Sequence, residues 1–527
     1  MASVYNNALL QLKLRAERYD RAHLIQTFVD VDPLLALLRS EDHQVLYGRR
    51  GTGKTHALEF LANSVETAKD IAVSIDMRTI GSNGGLYADQ GIPISQRATR
   101  LLVDTLHSVH EQIMAVVVSD ERFDYAQLAP KLDAFITSAS EVVVTGPVTS
   151  ESTGEEKGVD SLSSKFGLNW GGAPSLTGSL EGKLETEVRA GFKRTTTGNE
   201  QNRVHFGSLH RDLNQLCESL KPCRVWVLVD EWSEVPLDLQ PYLADLIRKS
   251  LLPVRRLTVK IAAIEQRTKF SIDEIEGGYI GIEVGADMTA NANLDDFMVF
   301  ENDQSRARSF FESFLFNHLT PLLDKELAAQ IKNPQDLVRR MFTQANAFAE
   351  FVRASEGVPR DAINILNHAA QQARDDQISI PHIRIGAKKW FSQGKEKAVQ
   401  EPVAQALLRW LIDEVIAHRQ ARAFLLRSDV RYPLIDYLFD SRVLHVVKHG
   451  VSGQDNPGVR YDVYSIDYGC YVDLMNTAKA PKGLFEIEST EDGSEFVEVP
   501  ANDYRSIRRA ILDIGEFEAA RVVQIKS

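Results

Sequence analysis

The chain has 527 residues, room for two to four domains. Its apolar share of 43% and charged share of 25% are ordinary for a soluble globular protein. A formal charge of −13 argues against a protein that coats nucleic acid over its whole surface, though it leaves room for a local basic face.

Bulk sequence also sets expectations about location. No unbroken apolar run is long enough to span a bilayer, and the N-terminus, Met1-Ala-Ser-Val-Tyr-Asn-Asn, has no leader pattern. A cytoplasmic protein without membrane contact is expected, with Cys217, Cys223 and Cys470 as reduced, mostly buried thiols.

Residues 1–40 carry a helical pattern, with Asp32 expected to cap a helix that Pro33 starts. Gln44-Val-Leu-Tyr47 reads as a short buried strand, and His56-Ala-Leu-Glu-Phe-Leu-Ala62 as a helix start. Between them stands Gly48-Arg49-Arg50-Gly51-Thr52-Gly53-Lys54-Thr55. A strand, a Gly-rich turn and a helix form the context in which this spacing cradles phosphates. The glycines let backbone N–H groups converge on phosphate oxygens, and the helix N-terminus adds partial positive charge. Lys54 is expected to reach the β- and γ-phosphates and Thr55 to place its hydroxyl on Mg²⁺. The expected nucleotide-binding segment is Gly48, Arg49, Arg50, Gly51, Thr52, Gly53, Lys54, Thr55 and His56.

Ile71–Asp76 reads as a second core strand, with Asp76 and Arg78 at its ligand end. Helices are expected over about 93–117 and 125–138. Residues 145–165 break the pattern, and 165–192 read as a Gly-rich β-hairpin inserted into the core. A helix near 206–220 leads to Val225-Trp-Val-Leu-Val229-Asp230-Glu231, an apolar strand ending in two carboxylates. Asp230 suits a metal ion or its bound water. Glu231 suits orienting a water and accepting its proton. A helix through 249 and a strand over 257–264 follow, running into Glu265 and Gln266, candidate contacts to a terminal phosphate. Arg248, Arg255 and Arg256 are candidates for an arginine acting on a neighbouring subunit. Residues 275–300 read as irregular, and helices fill 302–324 and most of 333–378. Within them Gly357-Val-Pro-Arg360 starts a helix from which Arg360 can point at the phosphates.

The last 130 or so residues read as helices at about 401–417, 418–427 and 431–439, then a hairpin of 443–447 and 460–466, a winged-helix arrangement. Arg427, Arg431, Arg442, Lys448 and Arg460 are its candidate phosphate contacts, interspersed with acids. Four segments result: a helical start (1–40), an α/β core with parallel sheet (41–300) interrupted at about 145–200, an all-helical lid (301–395), and a winged-helix-like C-terminal domain (396–527).

The order of Gly48–Thr55, Val229-Asp-Glu231 and Gly357-Val-Pro-Arg360 resembles the AAA+ P-loop ATPases. With the C-terminal pattern, and with Leu228–Pro236, Val259–Thr268 and Arg460–Gly469, the chain resembles bacterial origin-recognition/Cdc6-like members of the initiator clade. The resemblance implies ATP and Mg²⁺ as cofactors, and ATP hydrolysis at a low or regulated rate. It implies Lys54, Asp230, Glu231 and Arg360 as the catalytic set, and Thr55 with Asp230 as the metal-binding pair. It also implies a homo-oligomer with nucleotide near subunit interfaces. Two roles remain open at this point: a switch acting with an effector protein in anti-phage defence, or an initiator-type ATPase using its winged helix on duplex DNA. The inserted hairpin and the Glu265-Gln266 strand end depart from a plain initiator and favour the first.

Overall fold

A computed structural model describes residues 2–30, 33–80, 89, 91–139, 142–145, 199–202, 204–273, 278–295, 304–418, 421, 423–430, 432–452, 458–475 and 511–526. Contacts divide the chain into one unit of Met1–Ala139 with Val204–Ser527, and a second of Ser140–Arg203.

In the first unit, helices α1 (Ala2–Leu10), α2 (Arg21–Thr27) and α3 (Leu34–Leu38) precede strand β1 (Gln44–Tyr47). Asp32 lies outside the described residues; Asp30 accepts from the Leu35 N–H at 3.2 Å at the start of α3. Helix α4 (Lys54–Thr67), strand β2 (Ile71–Asp76), and helices α5 (Ile94–Ser119) and α6 (Tyr125–Ala139) come next. The second unit contributes β3 (Val142–Thr145) paired antiparallel with β4 (Asn199–Asn202). The hairpin expected over 165–192 lies outside the described residues.

The first unit resumes with α7 (Phe206–Ser219), β5 (Val225–Asp230), α8 (Gln240–Ser250) and β6 (Leu257–Ala263). Residues 275–300, expected to be irregular, hold one short strand and one strand of the central sheet among the described residues. β7 (Ser271–Asp273) pairs with β8 (Tyr279–Gly281), and β9 (Thr289–Asn293) runs parallel to β1. β9 reads Thr-Ala-Asn-Ala-Asn, with no apolar alternation to announce it. Its Asn291 accepts from the Gln44 amide at 2.5 Å.

The central sheet has the order β2-β5-β6-β1-β9, all parallel. Alternate residues supply two cores, which is why β5 is apolar up to Asp230. Val225, Val227 and Val229 pack with α5–α8, whereas Trp226 and Leu228 pack with α1, α4 and the later helices. Helix α5 is the one described helix long and apolar enough to cross a bilayer by length and composition. Here its Leu102, Leu106, Val109 and Ile113 are buried in the second of these cores.

Helices α9 (Gln304–Leu319), α10 (Lys325–Ala329), α11 (Pro334–Met341), α12 (Ala345–Ala354), α13 (Pro359–Ala373) and α14 (Ile380–Trp390) form a helical layer. Helix α1 joins it: Asn6 donates to the carbonyls of Arg374 at 2.7 Å and Asp376 at 2.9 Å. Helix α14 passes into a π-turn at Phe391–Lys395.

The C-terminal module has α15 (Pro402–Leu411), β10 (Ala423–Arg427), α16 (Pro433–Asp440), β11 (Leu444–Ser452), β12 (Arg460–Ile466), α17 (Tyr468–Met475) and α18 (Ile514–Lys526). Its sheet is antiparallel, in the order β10-β12-β11. The helix expected over 418–427 is therefore corrected: Ala423–Arg427 is a strand paired with Tyr461–Ser465. A four-residue apolar run fits a buried helix or a buried strand equally, and here the ladder with β12 decides. Among the described residues a single helix, α16, stands between β10 and β11.

Candidate functional site

The Gly48–Thr55 loop leaves the C-terminal end of β1 and enters α4. Gly51 (φ +89°) and Gly53 (φ +101°) take left-handed conformations that side chains disfavour. At Gly51 space is also short, because a Cβ would stand 2.7 Å from the Cβ of Arg360. The Arg360 N–H donates to the Gly51 carbonyl at 3.3 Å, so α13 begins directly on the loop.

Lys54 is buried at the first turn of α4 and donates to the carbonyls of Gly48 (2.8 Å) and Arg49 (3.0 Å). It makes no ion pair among the described residues. Burial pulls its ammonium below the usual lysine range, against the pull of Glu231, Asp230 and Asp295. The Thr55 hydroxyl donates to Asp230 Oδ2 at 2.7 Å, and Asp230 Oδ1 accepts from the Glu231 N–H at 2.8 Å. Burial raises both carboxyls; Asp230 adds to the shift at Glu231. Glu231 sits at φ +54°, a left-handed turn that ends β5 and frees its side chain from the strand's pleat. Arg360 is half-buried, and its Nε has no hydrogen-bond partner among the described residues. Burial, then neighbouring Arg442, lowers its pKa.

Apart from Asp230, which Thr55 holds, these side chains line one cavity of about 320 Å³. Gly51, Gly53, Lys54, Thr55, Glu231 and Arg360 form one part of its wall. Tyr19, Leu24, His56, Phe314, His318 and Ile363 supply an aromatic and aliphatic part. Cations outnumber acids on this wall, with Lys13, Arg15, Arg50 and Arg78 beside Lys54 and Arg360, against Glu17, Glu231 and Glu234.

Sequence reading missed Glu17 and the segment around it, which has no motif. Arg78 binds Asp76 at 2.6 Å and Glu17 at 2.7 Å, and stands 3.9 Å from Glu231. It thereby ties the N-terminal segment to the carboxylate end of β5. His318 was also missed. It lies in a helix with no local signature and reaches the site only through packing.

Other expected residues lie elsewhere. Arg50 faces the cavity and pairs with Glu234 at 2.5 Å, but Arg49 points away from it and is 2% exposed. Glu265 and Gln266 form a turn beside Gly48, Asn293, Asp295 and Phe439, a cleft separate from the Lys54 cavity. Arg255 and Arg256 precede β6, at the end of the sheet opposite the loop. Arg256 donates to the Cys223 carbonyl at 3.3 Å. Arg248 pairs with Asp245 at 2.8 Å and donates to Tyr279 at 3.0 Å. None of the three lines this cavity. All three cysteines are buried and in no disulfide among the described residues, with the Cys217 thiol pushed up to about 12 by burial.

No family model matches the chain, and no curated protein matches it. Among solved structures it is similar to the ORC1 protein of Aeropyrum pernix in complex with DNA, at 11% identity over 88% of this chain and 93% of that one. The TM-score of 0.28 leaves fold and function to be argued from the chain's own geometry.

Proposed function

We propose that the chain is a Mg²⁺-dependent, ATP-binding and ATP-hydrolysing switch of the AAA+ kind. One observation carries this reading: buried Lys54 and half-buried Arg360, neither in an ion pair among the described residues, line one cavity with Glu231 and Thr55, and Thr55 holds Asp230 at 2.7 Å. A buried cation without a counter-charge is costly, and a polyphosphate supplies that charge.

Thr55 and Asp230 are hard oxygen donors 2.7 Å apart, the chemistry Mg²⁺ prefers, so the residues present fit the ion. Bound there, it would offset charge on phosphate oxygens. The chain's own groups do the rest. Loop N–H groups and Lys54 hold the phosphates. Glu231, its carboxyl raised toward neutrality, takes a proton from attacking water. Arg360, carried on α13, answers the terminal phosphate and couples its presence to the helical layer. The aromatic wall takes the base.

The duplex-DNA alternative has less behind it. Arg442 lies inside the protein on Asp361, Arg427 pairs with Asp429 at 2.6 Å, and Arg460 donates to the Gly450 carbonyl at 2.9 Å. Basic side chains already engaged within the chain make a poor phosphate stripe. The geometry adds nothing to the expectation of a defence effector.

Calorimetric titration of the full chain with ATP and Mg²⁺ tests the reading. Binding is expected, and Lys54→Ala should abolish it while the fold is kept. Wild-type protein that ignores millimolar ATP would end the proposal.

A further inference from the structure

A second set of charges starts in the same loop and faces away from the cavity. Arg49 Nε donates to Asp295 Oδ1 at 2.6 Å, and its terminal nitrogens donate to the Glu356 carbonyl at 2.8 Å and to His445 Nδ1. The Arg49 N–H also donates to Asp295, at 2.9 Å, which takes this amide out of the set left for phosphate. An arginine only donates, so His445 Nδ1 is bare and its Nε2–H donates to Asp467 at 3.1 Å. Asp467 accepts from Lys395 at 2.5 Å, Lys395 also pairs with Asp361 at 2.8 Å, and Asp361 pairs with Arg442 at 2.6 Å. Asp361 directly follows Arg360 in the first turn of α13.

We propose that Arg49 is a positioning residue, and that the C-terminal sheet braces the phosphate site through His445 by fixing the phosphate loop relative to Arg360. The inference rests on the nucleotide reading of the cavity and deepens it by naming how that site is held and sensed. The chain of contacts begins in the loop, passes through β11 and the π-turn, and ends beside Arg360. Its cations, Arg49, Lys395 and Arg442, are matched by Asp295, Asp361 and Asp467; Arg49, Lys395, Asp361 and Asp467 are out of water, and Asp295 and Arg442 are partly so. A fully paired buried network has few alternative geometries, so displacing either end breaks it or moves the whole. The direct contact of Gly51 with Arg360 closes the loop on one side, and the brace closes it behind. A ligand that parts the loop from α13 therefore pulls on the C-terminal sheet. Conversely, the position of that sheet sets the site's affinity.

The test compares His445→Leu, which neither accepts nor donates, with His445→Gln, whose amide does both. Hydrogen exchange of the full chain without nucleotide is read at 48–53 and 359–363, beside ATP titration with Mg²⁺. The Leu variant should exchange faster in both segments, with β2 and β5 unchanged, and should bind ATP about ten-fold more weakly. The Gln variant should restore both. Unchanged exchange in the two segments, or faster exchange confined to the C-terminal sheet, overturns the proposal. If His445→Leu does not fold, Arg49→Gln decides by the same criteria. Wild-type protein that fails to bind ATP would sink the nucleotide reading, while the exchange comparison would still decide the brace.

Discussion

Two buried lysines in this chain carry opposite electrostatics. Lys54 is 8% exposed and Lys395 is 1% exposed, so both have left water. Lys54 meets only carbonyl oxygens, and burial pulls its ammonium below the usual range. For Lys395, burial pushes the same way, but Asp361 and Asp467 outweigh it and hold the ammonium above that range. The difference separates the proposed phosphate site from a structural tie. A cation held short of its counter-charge at a cavity wall is open to an anion from outside, whereas a cation closed between two carboxylates has nothing left to offer.

Substitution by methionine, near-isosteric and uncharged, should pull the two lysines apart. Lys395→Met leaves Asp361 with Arg442 and Asp467 with His445 but takes away the cation between them, and should cost about 3 to 5 kcal/mol in urea unfolding. Lys54→Met removes a cation that its buried position holds at a cost. Its unfolding midpoint should stay or rise, while ATP affinity falls about 100-fold or more. If Lys54→Met is the more destabilised of the two, the comparison is wrong.

The next effect sharpens the site side alone. Glu231→Gln keeps size and hydrogen bonding but cannot take a proton. Steady-state phosphate release should drop about 10²- to 10³-fold with ATP binding kept. Rapid hydrolysis by that variant would remove Glu231 from the role of base.

How much of this was legible in sequence follows from what a motif encodes. Gly48–Thr55 and Asp230-Glu231 could be read because backbone conformation and strand ends are local, and their spacing survives in any context. Side-chain direction is not local. Arg49 and Arg50 are adjacent and alike, yet one enters the C-terminal sheet and the other the cavity. Only the packing of β9, α13 and β11 around the loop decides that. Glu265 and Gln266 follow a strand as a phosphate contact should, but they turn toward Phe439 and Val446 instead. β9 was hidden for a different reason. Its alanines and asparagines carry no hydrophobic period, and it is a strand because β1 offers it a free edge.

The smallest effect separates the two regions by pH. Burial lowers His445 to about 3, and Arg49 keeps its Nδ1 occupied as an acceptor. An unfolded histidine titrates near 6.5, so between about 3 and about 6.5 the folded chain binds fewer protons than the unfolded one. The stability held above that window is therefore lost as pH falls through it, by about 1.4 kcal/mol per unit for this group. Burial also lowers His318 at the cavity to about 3, which adds a slope of the same sign. At still lower pH the regions diverge. Asp361 and Asp467, held below the usual carboxylate range despite burial, lose stability as they take up protons. Asp230 and Glu231, raised by burial, are eased by protonation. Between about pH 6.5 and about pH 5, wild-type stability in urea should fall by about 2 kcal/mol for His445 alone. His445→Gln, which keeps the brace without a titrating group, should lose that share and retain the share owed to His318. Equal slopes for the two proteins would show that His445 is not held neutral inside the folded chain, and the brace would lose its central link.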